Sequence, residues 1–182
     1  PNKLQYVLNR LLPNFIRIKE CREVADDFNA RYDAISKTYL YVIERKVENP
    51  LLIEVCWHPI FDFDIETFRN VSKLYVGNHC FDFFGSEEEK DGKILSIEDV
   101  WVEEKGNYVL WRVKGRSFLR YQVRFMVGTA YEIAAGRTSI AEITSRLDGT
   151  NKTTVHHKAP ASGLILEKVE YDFERSENLA KE

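Results

Sequence analysis

The sequence predicts an α+β domain, a mostly antiparallel sheet with helices on one face. Two observations carry that expectation. Apolar and polar positions alternate with period two in several segments, two of which, LSIEDVWVEE and YVLWRVKG, meet at Lys105-Gly106-Asn107 as a hairpin. Segments with helical periodicity are inserted between groups of these strands, the pattern of an α+β fold. With 182 residues, 44% hydrophobic and 30% charged, no internal repeat and no linker, the economical expectation is a single domain over 1–182.

Residues 3–12, KLQYVLNRLL, place Leu4, Val7, Leu8, Leu11 and Leu12 on one stripe, predicting a core-covering helix ended by Pro13. Phe15 to Glu23 reads as a strand, because Phe15, Ile16 and Ile18 interleave with Arg17 and Lys19, and VADDFNARYDA reads as a loop. Ile35 to Val47 is the longest β-type run, rich in β-branched and aromatic residues. It should be a central strand with Tyr39, Tyr41 and Ile43 on one face and Leu40 and Val42 on the other. An Asn49-Pro50 turn leads to LLIEVCW, read as a further strand. DIETFRNVSKLY is an amphipathic helix with Asp64 as N-cap, Ile65, Phe68, Val71 and Leu74 turned inward, and Gly77 as its stop. The charged loop SEEEKDGK precedes the hairpin. A helix is then expected from Phe118 to Ala135, closed by Gly136, and a short one over SIAEITSRLDG, capped by Thr138 or Ser139 and stopped by Gly149. The basic loop TNKTTVHHKAPASG, a last strand LILEKVEYDF and a frayed tail SENLAKE complete the chain.

Cys21, Cys56 and Cys80 are few, widely spaced and odd in number, which reads as reduced thiols in a cytoplasmic protein. Charges break every apolar run well short of the roughly 20 residues a membrane span needs, so no membrane partner is expected. The net charge of -3 argues weakly against nucleic acid, yet it hides an asymmetry. Arg112, Lys114, Arg116, Arg120 and Arg124 follow one another without an intervening acid, whereas Asp82 to Glu104 is strongly acidic. A basic patch can persist inside an acidic protein.

The stretch GRSFLRYQVRFMVG, Gly115 to Gly128, carries the sharpest question. On a helix Arg120 and Arg124 share a face, and Phe118, Leu119, Val123, Phe125, Met126 and Val127 form an apolar surface too broad for a solvated helix. Arg124 should be substantially buried. A buried guanidinium needs a carboxylate or a phosphate, because leaving it unpaired costs several kcal/mol. Tyr39 and Tyr41 have two readings: cross-strand packing, or a platform on which an extruded base stacks while arginines hold its phosphates.

Other constellations carry less. His156 and His157 are adjacent on an extended segment and point to opposite sides, which suits a solvated or RNA-facing loop rather than a metal pair. His79 and Cys80 are sequence neighbours, which seldom form a catalytic pair, so packing at a helix end is expected. No GxxxxGK[ST], GxGxxG or GxSxG occurs, which leaves phosphate cradles and hydrolase elbows without support.

Four motifs in order resemble the C-terminal portion of tRNA pseudouridine synthases of the TruA type. FNARYDAISKTYLYVI is similar to that family's F-H-A-R-[FY]-x-A-x-x-x-x-Y-x-Y, and GNHCFDFF to G-x-H-[DN]-F-x-x-F. FLRYQVRFMVG is similar to F-[LV]-x-x-[MQ]-[VI]-R-x-[MIL]-V-G, and APASGLILEKVEY to A-P-A-x-G-L-x-L-x-x-V-x-Y. The resemblance implies half of the pseudouridine synthase fold and the isomerisation of uridine to pseudouridine in the anticodon stem-loop of tRNA, with neither cofactor nor metal, by a homodimer. It further implies that Tyr39 stacks on the target base and takes part in proton removal, and that Arg124 pairs with a catalytic aspartate held in a G-R-T-D-x-G-V-H-A loop. Leu164 and Ile165 would pack beside the tyrosine in the base pocket, and Arg31, Arg116, Arg120 and Lys158 would contact RNA.

Three positions depart from the family pattern: Asn29 stands where histidine is usual, Cys80 where Asp or Asn is usual, and Leu95 in place of an arginine. More consequentially, no GRTD-like loop occurs in residues 1–182. The expectation is therefore a C-terminal part of a larger enzyme, inactive alone. The alternative is a non-catalytic RNA-binding or dimerisation module that keeps the fold.

Overall fold

The computed structural model describes residues 1–46, 50–86, 92, 94–153 and 157–173. Val47, Asn49 of the expected turn, most of the SEEEKDGK loop, His156 and the SENLAKE tail lie outside these residues. The chain divides into two compact units, one of Pro1–Ala34 with Tyr171–Glu182, the other of Ile35–Glu170.

In the smaller unit, α1 spans Asn2–Leu11 as its periodicity predicts, but it buries no residue. Leu4, Val7 and Leu11 are all exposed, so the helix is not core-covering. It holds the following segment through amides instead. Asn9 Nδ2 donates to the Ile18 carbonyl and Asn9 Oδ1 accepts from the Ile18 N–H, while Gln5 Nε2 donates to the Ile18 and Lys19 carbonyls. Those contacts satisfy backbone groups that a strand would have paired, and Phe15 to Glu23 accordingly enters no sheet. Asn29 Oδ1 accepts from the N–H groups of Arg31 and Tyr32, a side-chain turn that the histidine usual at this place in the resembled family could not make in the same way. Phe28, Tyr171 and Phe173 cluster their rings.

The larger unit is built on a five-stranded antiparallel sheet. Its strands are β1 (Ala34–Glu44), β2 (Gly77–Cys80), β3 (Ile94–Lys105), β4 (Tyr108–Gly115) and β5 (Leu164–Tyr171), in the order β2-β3-β4-β1-β5. The expected hairpin joins β3 to β4 with Lys105 opposite Tyr108, and Gly106 adopts the positive φ of 59° that the tight turn demands. Strand β1 is internal as predicted. LLIEVCW is not a strand. Pro50 has no N–H to offer a ladder and opens a 3-10 turn over Pro50–Leu52, and only Trp57 reaches β1, through a single bridge to Ile43. Strand β2 escapes sequence reading because GNHC has neither alternation nor β-branched residues; it is a short edge held by its pairing with β3. His79 and Cys80 therefore sit on a sheet edge, not at a helix end.

One sheet face is covered by α2 (Ile65–Lys73) and α3 (Gln122–Ala134) over Tyr41, Ile43, Leu95, Ile97, Val100, Val109, Trp111 and Val113. Asp64 caps α2 by accepting from Thr67 N at 2.7 Å, and Phe68 and Val71 are buried as its stripe predicts. Leu95 belongs to this core, which gives that departure from the family pattern a packing role. Helix α4 (Ala141–Leu147) follows, without a side-chain cap, and Gly149 ends it at a φ of 75°.

The opposite sheet face carries charge. Arg112 pairs with Glu167 at 2.9 Å and Glu103 at 3.3 Å, and Lys114 with Glu170 at 2.9 Å and Glu98 at 3.3 Å. The basic run thus divides. Strand alternation sends Arg112 and Lys114 outward into ion pairs, and only its later members, Arg120 and Arg124, line the cavity on the helical side.

Candidate active site

The site is made where the chain turns from β4 into α3. The helix begins at Gln122, four residues later than the apolar run suggests, because Gln122 closes a tight turn on the residues before it. Its N–H donates to the Leu119 carbonyl at 3.1 Å, and its side-chain Oε1 accepts from the Leu119 N–H at 2.8 Å. The amide is fully buried, so both bonds act where water cannot replace them. Tyr121, the N-cap, then takes a left-handed conformation with φ 69°. Arg120 consequently lies before the helix and does not share a helical face with Arg124.

This turn and the middle of β1 enclose a cavity of about 390 Å³ lined by Tyr39, Phe118, Leu119, Arg120, Tyr121, Gln122, Val123, Arg124 and Leu164. Tyr39 and Phe118 meet edge to face with centroids 5.1 Å apart, forming an aromatic corner. Tyr39 is only partly covered, in contrast to Tyr41, which is fully buried; the two tyrosines that looked equivalent in sequence are one wall residue and one core residue. Burial pushes the Tyr39 phenol up, so it stays protonated at neutral pH. The Tyr41 phenol is pushed much further by burial, with the Arg124 charge pulling weakly the other way.

Arg124 is half-buried on the first turn of α3. Its Nε donates to the Ala159 carbonyl at 2.7 Å, and its own carbonyl accepts from Ala159 N at 3.1 Å. The strap 157–163 is therefore clamped to α3 at one residue by two bonds. Tyr41 adds a third by donating its hydroxyl to the Pro160 carbonyl at 2.7 Å, and Val42 N a fourth to the Gly163 carbonyl at 2.8 Å. Gly128 explains how the strap comes so close: a Cβ there would strike the His157 carbonyl oxygen and lie 2.8 Å from Ala159 N.

Among the described residues no carboxylate lies within ion-pair distance of Arg124; its side-chain partners are a backbone carbonyl and the Tyr121 ring, 5.5 Å away. A guanidinium has five N–H donors. With Nε engaged by Ala159, the donors that remain for an anion are those of Nη1 and Nη2, so a carboxylate in the cavity would be met end-on.

Of the residues singled out from the sequence, Tyr39, Arg120, Arg124 and Leu164 line this cavity together. Lys158 joins them at the Tyr121 ring, its Nζ 4.5 Å from the centroid. Arg116 is exposed on the approach to the turn, and Ile165, the next residue along β5 from Leu164, is exposed and does not line the cavity. Arg31 is in the smaller unit, its guanidinium 5.6 Å from the Tyr32 ring. Sequence reading missed Tyr121 and Phe118. Aromatics in a helical run look like core, and nothing before the structure showed that the run starts with a turn.

A family model described as tRNA pseudouridine synthase matches residues 71–172, which contain β2 to β5, α3 and the strap. The tRNA pseudouridine synthase A of Thermoanaerobacter sp. (strain X514) is 32% identical over 171 residues, covering 93% of this chain and 70% of the relative. The chain belongs to the tRNA pseudouridine synthase family. The enzyme of the same name from Aquifex aeolicus is 34% identical over 168 residues, 92% of this chain and 69% of the relative. That of Mycoplasmoides gallisepticum is 35% identical over 170 residues, 93% of this chain and 64% of its own length. Within the family-matched region, Arg124, the Gly128 contact and the strap form one unit. No group of three or more potential metal ligands occurs among the described residues, and no helix among them is long and apolar enough to cross a membrane.

Proposed function

We propose that this chain forms one wall of the catalytic cleft of a tRNA pseudouridine synthase and acts on uridine in the anticodon stem-loop. The observation that carries this reading is Arg124, an arginine clamped by its Nε to the strap, lacking a carboxylate partner among the described residues and lining a cavity with an aromatic corner. In the reaction the N1–C1′ bond of uridine breaks, a C5–C1′ bond forms, the C5 proton leaves and N1 takes up a proton. Tyr39 and Phe118 offer the extruded base a face and an edge to pack against. The protonated phenol of Tyr39 can pass a proton but is not a standing phenolate. Arg124 holds an aspartate end-on and keeps it ionised, the effect of a cation on a neighbouring carboxyl group.

That aspartate is the element residues 1–182 do not provide in a GRTD-like context. In this reading it enters from a segment outside them, and the chain alone is inactive. Arg116, Arg120 and Lys158 hold phosphates, with Arg31 as a further RNA contact, and Leu164 packs beside the base while Ile165 stays outside the cavity. The active form is a cytoplasmic homodimer.

The test is tritium release from a tRNA transcript carrying uridine labelled at C5. This chain alone should release none, and supplementing it with the aspartate-bearing segment of a relative should restore release that depends on Arg124. Release by the chain alone would refute the missing-aspartate reading. Failure of every supplemented form, with tRNA binding retained, would instead favour a non-catalytic RNA-binding module.

A further inference from the structure

Six glycines of this chain adopt positive φ, among them those at the hairpin and the helix ends, and one non-glycine residue among those described does so. That residue is Tyr121, at φ 69°. A turn that needs only a left-handed reversal is served at lower cost by glycine or asparagine, since a bulky residue is strained there. A tyrosine at such a position points to a function for its ring, and backbone strain of this kind gathers at functional sites.

The surroundings of the ring identify that function. Three cations approach its centroid, Lys158 Nζ at 4.5 Å and the guanidinium carbons of Arg120 and Arg124 at 4.9 and 5.5 Å. Three like charges at one cavity mouth repel each other, and an aromatic quadrupole is attractive to each of them. Among the described residues the Arg124 side chain is tied by one hydrogen bond, through Nε to the Ala159 carbonyl, which leaves the guanidinium free to swing about it.

We propose that Tyr121 is a positioning residue for Arg124. Its ring supplies the second support, so that Nη1 and Nη2 face the cavity, and the left-handed turn is what carries the ring there. The inference rests on the reading of this cavity as part of the catalytic cleft, but its geometric content can be measured without turnover.

The measurement is solvent exchange of the Arg124 Nε–H by NMR on arginine-labelled protein. In the wild type this proton, bonded to a buried carbonyl, exchanges more slowly than that of the exposed Arg116. Tyr121→Asn removes the ring while suiting the left-handed backbone, so the melting temperature should hold and Arg124 Nε–H exchange should accelerate about two- to fivefold, the factor that matches a partly exposed cation–π contact. Tyr121→Phe keeps the ring and should keep the slow exchange. Unchanged exchange in Tyr121→Asn, or acceleration in Tyr121→Phe as well, overturns the proposal. If Tyr121→Asn does not fold, the wild type decides: the Arg124 δ-methylene protons must show an upfield ring-current shift relative to those of Arg116, and its absence overturns the proposal. In the supplemented tRNA assay Tyr121→Asn should lower kcat with KM nearly unchanged. Accelerated exchange in a protein that never modifies tRNA would leave the positioning role standing and refute the functional reading instead.

Discussion

Gly128→Ala sets two effects of opposite sign against each other. In a helix interior, alanine in place of glycine stabilises by roughly 0.5–1 kcal/mol, and propensity alone predicts a more stable protein. The structure predicts the reverse. The new Cβ would meet the His157 carbonyl oxygen and lie 2.8 Å from Ala159 N, and because both are backbone atoms no rotamer change relieves the clash. The strap must lift, and the hydrogen bonds Ala159 N to Arg124 O at 3.1 Å and Arg124 Nε to Ala159 O at 2.7 Å go with it. A neutral hydrogen bond contributes about 0.5–1.5 kcal/mol and a charge-assisted one about 1.5–3 kcal/mol. Setting the helix gain against that loss leaves a net destabilisation of about 1–4 kcal/mol. At about 2–4 °C per kcal/mol for a chain of this size, the melting temperature should fall by roughly 2–16 °C. Calorimetry or urea unfolding with an unchanged m-value measures it. A melting temperature equal to or above that of the wild type would show that the strap does not press on α3, and with it would fall the anchoring of Arg124 by Ala159.

Three further perturbations address the site and the sheet. Arg124→Ala in a pseudouridylation-competent form should abolish most turnover and leave tRNA affinity in a filter-binding assay largely intact; equal loss of both would make Arg124 a phosphate contact. Tyr39→Phe keeps the ring against Phe118, so tRNA binding should persist and any large fall in turnover belongs to the hydroxyl. Since burial raises the phenol above its ordinary value of 10.0, wild type and variant should share the same pH–rate limb below pH 10. Glu170, held by Lys168, Ser36 and Lys114, should titrate at about 2 in a carboxyl NMR experiment. Its folded-state value is depressed, so the stability it lends is present above the ordinary 4.5 and disappears as the pH falls toward 2. Ser36→Ala should move the midpoint upward.

Much of the fold was legible because burial and period coincide in it. The hairpin, the central strand β1 and α2 with its Asp64 cap each show one face to the core, and their apolar spacing states which. The failures share a cause: local pattern was satisfied by something other than the expected element. The side chains of Asn9 and Gln5 took the hydrogen bonds of a would-be strand at residues 18 and 19, and β2 exists through its partner rather than its own propensity.

The site follows the same logic. Arg124 was readable because a charge in an apolar run demands a partner, but the identity of its neighbours depended on where the helix begins. An apolar run has no visible start, and the signal that fixes it here is one buried amide, Gln122, folding back on Leu119. Moving the start by one helical turn takes Arg120 off the face of Arg124 and turns Phe118 from a core residue into a cavity wall. It also places Tyr121 at the only strained non-glycine backbone among the described residues. The chemistry proposed for the cavity therefore depends on a capping interaction as much as on the cationic residue itself. Arginine suits that arrangement better than lysine would, because one nitrogen can be committed to the strap while two others stay available for an anion.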